Sequence, residues 1–160
     1  MAVPTHHLLA VDVGLHTGLA FFSEEARLLW YRSHHFSSPS KLKRVIGKLL
    51  REQPRPSHLF LEGGGPLVDL WLREAEKLEI TANQIHAQQW RECLFYQRQH
   101  RSGSQAKKEA DGLARQVIEQ LGGKKPTGLR HDTAEAVLVG LYGLLQLGWL
   151  KDWPGTGERK

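Results

Sequence analysis

The stretch "LLAVDVGLHTGLAFF", residues 8–22, decides how this chain is read. Its first half is a continuous apolar run with no helical period, which predicts a strand buried on both faces. One carboxylate, Asp12, stands inside that run and is followed at once by a turn carrying Gly14 and Gly18. A buried carboxylate with no partner costs several kcal/mol, so the rest of the chain must supply compensation for it.

Outward from this strand, "TGLAFFSE" and "ARLLWYRS" flank a polar link at Glu24 and Glu25 and predict a hairpin. "SPSKLKRVIGKLLREQ" predicts a helix capped by Ser38 or Ser40. Leu42, Val45, Ile46, Leu49 and Leu50 form its apolar stripe, and Lys41, Arg44, Lys48 and Arg51 fall on another face, read as solvated. "HLFLEGGGP" is a short strand ending in Glu62, "LVDLWLREAEKLE" a second amphipathic helix, and "ITANQIHA" a weaker strand. "QQWRECLF" and "SQAKKEADGLARQVIEQLG" are helices separated by a polar, basic loop. "DTAEAVLVGLYGLLQLG" is apolar nearly all round and is predicted to be a buried helix. Strands alternating with helices predict an α/β fold, a mixed sheet with helices on both faces. No linker divides the chain, so one domain over 1–150 is expected, with 151–160 as a loosely packed tail.

Of the 160 residues, 40% are hydrophobic, enough for a core, and 24% are charged, which excludes wholesale disorder. The formal net charge of +5 favours an acidic partner, nucleic acid first. The single cysteine, Cys93, excludes an intrachain disulfide and a thiolate zinc site, and is read as a packed thiol on an amphipathic turn. It suits a reducing compartment. With no signal-peptide pattern and no apolar run long enough to span a membrane, a cytoplasmic protein is expected. Trp30, Trp71, Trp90 and Trp149 are read as core or interface rather than as base-stacking platforms.

Three places set carboxylates where a core should be apolar: Asp12, Glu62 at a strand end, and Asp132 with Glu135 at the start of the most apolar helix. Each alone has a plain explanation; Asp132 and Glu135, three apart on one helix face, fit an acidic capping box. Together they imply one site, because strand ends packed against a helix N-terminus would gather four acids that repel one another unless cations bind. Hard divalent ions, Mg²⁺ or Mn²⁺, are the natural partners of oxygen ligands. Two such ions about 4 Å apart would clamp the attacking and leaving oxygens of a phosphodiester. The competing reading of "DVGLHTG" is a nucleotide phosphate loop of the actin-like type, with Thr17 as a hydroxyl contact.

These residues resemble the RuvC-type Holliday junction resolvases of the ribonuclease H-like superfamily. The likeness rests on the Asp-x-Gly-x-x-x-Gly turn at Asp12, Gly14 and Gly18, the strand ending in Glu62, and "HDTAEA" opening a late helix, and it covers about residues 8–145. Asp132-x-x-Glu135 and "QQWRECL" ahead of a basic loop look closer to the chloroplast and phage branch. The resemblance implies a ribonuclease H-like mixed five-stranded sheet flanked by helices. It also implies two Mg²⁺ or Mn²⁺ ions per active site, and a homodimer that cuts four-way DNA junctions to leave 5′-phosphates. By motif position Asp12, Glu62, Asp132 and Glu135 would be the metal ligands, with His131 beside the third acid as a further catalytic candidate. Two departures stand out: Val13 replaces a common proline, and Gly63, Gly64, Gly65 and Pro66 occupy the place of an aromatic wedge.

The basic loop "QRQHRSGSQAKK" carries Arg98, Arg101, Lys107 and Lys108, candidates for DNA phosphate contacts. Lys107 or Lys108 is also a candidate to stabilise charge on the reacting phosphate. Leu67, Leu70 and Trp71 offer spare apolar surface for a dimer face. The alternatives are another nuclease of the same fold acting on RNA–DNA hybrids or single strands, and a non-catalytic DNA-binding module.

Overall fold

The structure, a computed structural model, describes residues 5–95 and 103–153. Among these residues, five strands, β1 (His7–Asp12), β2 (His16–Ser23), β3 (Leu28–His35), β4 (His58–Glu62) and β5 (Thr81–Ile85), alternate with five helices in the order anticipated. The helices are α1 (Pro39–Arg51), α2 (Pro66–Lys77), α3 (Ala87–Leu94), α4 (Gly103–Gln120) and α5 (His131–Leu147). The sheet runs β3-β2-β1-β4-β5. The hairpin makes β1–β2 and β2–β3 antiparallel, whereas β4 and β5 join β1 in parallel through helical crossovers.

β1 sits at the centre, and Leu8, Leu9, Ala10 and Val11 are all buried because both of its faces are covered. Leu9 and Val11 point with Leu59 and Leu61 into a core closed by α1 and α2. Leu8 and Ala10 point with Phe60 into a second core closed by α3, α4 and α5. α5 lies on β1 and β2 and is itself covered by α4, which explains a helix without a polar face. The α1 stripe is buried as its spacing predicts, apart from the half-buried Val45, and Ser38 caps the helix by accepting from the Lys41 amide.

Trp71 differs from its expected role. It is wholly buried between α2 and the sheet and offers nothing to a partner, while Leu67 and Leu70 are only half-buried. A helix face that is apolar in sequence can be core or interface, and here the sheet takes it. Trp90 is likewise core, and Trp30 and Trp149 pack at core margins. Cys93 is half-buried against the α3–α5 core. Trp153, in the segment expected to be loose, is buried in that core as well. Among the described residues, no helix is long and apolar enough to cross a membrane.

Candidate metal centre

One row of the sheet builds the site. The register sets Glu62 beside Asp12, Asp12 beside Gly18, and Gly18 beside Ser33, across four strands. Side chains alternate along each strand, so Asp12 shares the face of Leu8 and Ala10, and Glu62 that of Phe60. Both acids therefore leave the sheet on the α5 side, at the carboxyl ends of two parallel strands.

Gly18 admits the third element. A Cβ there would lie 1.9 Å from the backbone oxygen of Asp132, so the first turn of α5 rests directly on the glycine. That contact carries Glu135, one turn into the helix and only 7% exposed, down to the strand ends. Ligand oxygens of Asp12, Glu62 and Glu135 all lie within 4.8 Å of one another.

Asp132 stands beside this trio and is differently engaged. Its Oδ2 and Oδ1 accept from Ser33 Oγ at 2.8 and 3.0 Å, and Oδ1 accepts from the Thr133 amide at 2.7 Å. The capping box does not form: the N-cap is Arg130, and the Glu135 carboxylate turns to Arg91 and His131 instead. Asp132 remains close enough for its charge to act on Asp12.

Acids crowded this closely favour either a bound proton or a cation. Burial pushes the Asp12 carboxyl up to about 8, reinforced by Glu62, Glu135 and Asp132 and opposed by Arg91. Burial also pushes Glu135 up to about 7, with Arg91 and Lys107 opposing and Glu62 adding to the rise. His131, 3.7 Å from Glu135 through Nε2, is lowered by burial and by the Lys107 and Arg91 charges. The donor set is three carboxylates with no thiolate, which fits Mg²⁺ or Mn²⁺.

Two residues of α3 stand beside the acids: Arg91, which the sequence did not single out, and Trp90, which it read only as core or interface. Arg91 Nη2 pairs with Glu135 Oε2 at 3.1 Å, its guanidinium 4.8 Å from the centre of the Trp90 ring. The buried Trp90 directs Nε1 at Glu62 Oε1, 3.4 Å away. A buried indole N–H needs an acceptor, and that need was the available signal for Trp90. Arg91 had no comparable signal, because its partner lies 44 positions away.

Of the basic candidates, Lys107 acts on both Glu135 and His131 and so lies at the rim of the site. Lys108 is exposed, with no interaction with the acids among the described residues. Arg98 and Arg101 lie outside the described residues. The nucleotide-loop reading loses its hydroxyl: Thr17 is buried and donates to the Gly14 carbonyl at 2.6 Å.

No protein-family model and no curated relative matches the sequence. Solved structures do. RuvC of T. thermophilus, in complex with a Holliday junction substrate, matches with a TM-score of 0.67 and 17% identity, over 89% of this chain and 96% of that one. A simian T-cell lymphotropic virus intasome in complex with the PP2A regulatory subunit B56 gamma matches at a TM-score of only 0.35 and 12% identity, over 87% of this chain and 49% of that one. The likeness to RuvC, together with the strand order and the flanking helices, shows that this chain has the RuvC-type ribonuclease H-like fold.

Proposed function

We propose that the chain is a Mg²⁺- or Mn²⁺-dependent endodeoxyribonuclease that resolves four-way DNA junctions, working as a homodimer at the nucleoid. The observation that carries this reading is the convergence of Asp12, Glu62 and Glu135 within 4.8 Å on the α5 face of a RuvC-type sheet.

Asp12, Glu62 and Glu135 would hold the divalent ions, with Asp132 as a further ligand once it releases Ser33. When bound, two such ions neutralise a phosphodiester and activate water for in-line attack. Trp90 orients Glu62 by its N–H, and Arg91 holds Glu135 in place and favours its ionised form against the effect of burial. Lys107 at the rim meets the charge of the incoming phosphate. Arg98 and Arg101 would grip flanking phosphates, which sets affinity and its salt dependence. One domain carries one acid cluster, so paired cuts across a two-fold junction need a second copy.

The test is a four-way junction, a linear duplex and an RNA–DNA hybrid, each with Mg²⁺, Mn²⁺ or chelator. Metal-dependent cutting confined to the junction is expected. Preferential cutting of the hybrid would make the chain another nuclease of this fold. Tight junction binding without cutting would make it a binding module.

A further inference from the structure

α1 carries three lysines and two arginines and no acid along Pro39–Arg51. The basic face is exposed as its spacing predicts, and it also forms one wall of a groove. α1 packs beside α2, and between them lies a groove of about 460 Å³ lined by Lys43, Arg44, Lys48, Arg51, Lys77 and Glu74.

Its floor is built. Glu74 is 8% exposed, pairs with Lys77 at 2.7 Å and reaches Arg51 at 3.9 Å. Arg51 Nη1 also donates to the Gly47 carbonyl at 2.9 Å, and a Cβ on Gly47 would crowd both Arg51 and Glu74. Two of the five cations are thus held in place. No acid lies within ion-pair distance of Lys43, Arg44 or Lys48 among the described residues. Arg44 and Lys48 are four apart on one helix, a repulsion that opposes folding and that an anion would relieve.

The groove has the reach of a nucleic acid backbone. Lys43 to Arg51 spans about 12 Å of helix, roughly the axial rise of three to four phosphates of one strand. Its placement selects which backbone. β3 ends beside the start of β2, at the sheet edge that carries Asp12, and α1 starts there; α2 starts just after Glu62. Both helices run away from that edge on the face opposite α5. The acids and the groove lie on opposite faces of the sheet, so a branched molecule can offer each of them a separate arm.

We propose that the α1–α2 groove holds the phosphate backbone of a DNA arm other than the one presented to the acid cluster. This rests on the junction reading above and gives that substrate a second contact surface.

The test is fluorescence anisotropy in chelator, over a range of salt, with a labelled four-way junction and a linear duplex. The variant is Lys43→Gln/Arg44→Gln/Lys48→Gln. A charge-matched control, Lys124→Gln/Lys125→Gln/Lys151→Gln, removes exposed cations outside the groove. The groove variant should bind the junction about tenfold or more weakly at low salt, with a salt slope shallower by about 2–3. Its linear-duplex affinity, and the junction affinity of the control, should stay near wild type. Unchanged junction binding, an equal loss on linear duplex, or an equal loss in the control would each overturn the assignment. Wild-type protein that fails to bind the junction would defeat the junction reading and this inference together. Wild-type binding with an unaffected variant would defeat the inference alone.

Discussion

At Asp12, burial and neighbouring acids push the carboxyl pKa up to about 8, and on the proposed function protons and divalent cations would compete for that carboxyl. Because its folded value lies above the unfolded one, the folded state binds the proton more tightly. The stability this confers is complete below about pH 4 and is lost as pH rises through about 8. Glu135, raised to about 7, adds a loss of the same sign. Thermal melts in chelator should therefore show stability falling from pH 5.5 to 8.5 through these two groups. Asp12→Asn should flatten that fall and raise the melting temperature at pH 8 by a few degrees; a profile identical to wild type would contradict the assignment. In Asp12→Asn, Glu62→Gln and Glu135→Gln, cutting should drop at least about 100-fold while junction affinity stays within a few-fold, since ligands serve the transition state and cations serve binding. A variant that keeps the wild-type rate removes its residue from the site. Arg91 tests the site from the cationic side. Arg91→Gln leaves the buried Glu135 without its ion pair and should cost about 2 kcal/mol in chelator. Mn²⁺ should restore more of that loss than it adds to wild type; an equal metal-induced gain in both proteins would show that Arg91 does not stand in for a cation.

Elements place these residues, and two glycines of similar steric demand separate site geometry from stability. A methyl at Gly18 would lie 1.9 Å from the Asp132 carbonyl oxygen, and one at Gly140 would lie 2.0 Å from the Phe22 ring. Each alanine substitution should cost about 1–3 kcal/mol through overpacking. Gly18→Ala lifts the first turn of α5 off the row that holds Asp12 and should also abolish cutting at temperatures where the protein is fully folded. Gly140→Ala strains the helix two turns further on, against the buried Phe22 ring and away from the acids, and should keep most activity. Equal activity in the two variants, assayed at matched folded fractions, would contradict the role given to the Gly18 contact. The elements themselves were legible in the sequence because period and burial coincide: β1 is apolar on both faces, α1 carries one stripe, and α5 is apolar all round. Asp12, Glu62 and Glu135 were legible as acids out of place. The pairing of Asp132 with Ser33, 99 positions away, was not, because it depends on which strand lies under the start of α5. The Arg91–Glu135 contact was hidden for the same reason, since it exists only once α3 packs on α5.

For the whole molecule, the two faces of the sheet differ in charge: acids and Lys107 lie on the α5 side, an acid-free basic helix on the other. Fold class and the order of elements along the chain could be read from the alternation of strands and helices; the order of strands in the sheet came only from the structure. The dimer surface could not, since Trp71 proves to be core, and the only large apolar side chain well exposed among the described residues is Leu29, at 46%. A homodimer built on half-buried Leu67 and Leu70 should appear by light scattering as twice the chain mass at micromolar concentration. Leu67→Glu/Leu70→Glu should return the mass to a monomer and turn linear product into nicked circles; an unchanged dimer would move the interface elsewhere. The most direct measurement is incision of a supercoiled plasmid that extrudes a cruciform, followed with Mg²⁺, with chelator, and with Asp12→Asn protein. The account predicts linear plasmid as the main product with Mg²⁺ and intact supercoils under the other two conditions. Cutting in chelator, cutting by Asp12→Asn at the wild-type rate, or equal cutting of a plasmid lacking the cruciform would contradict it.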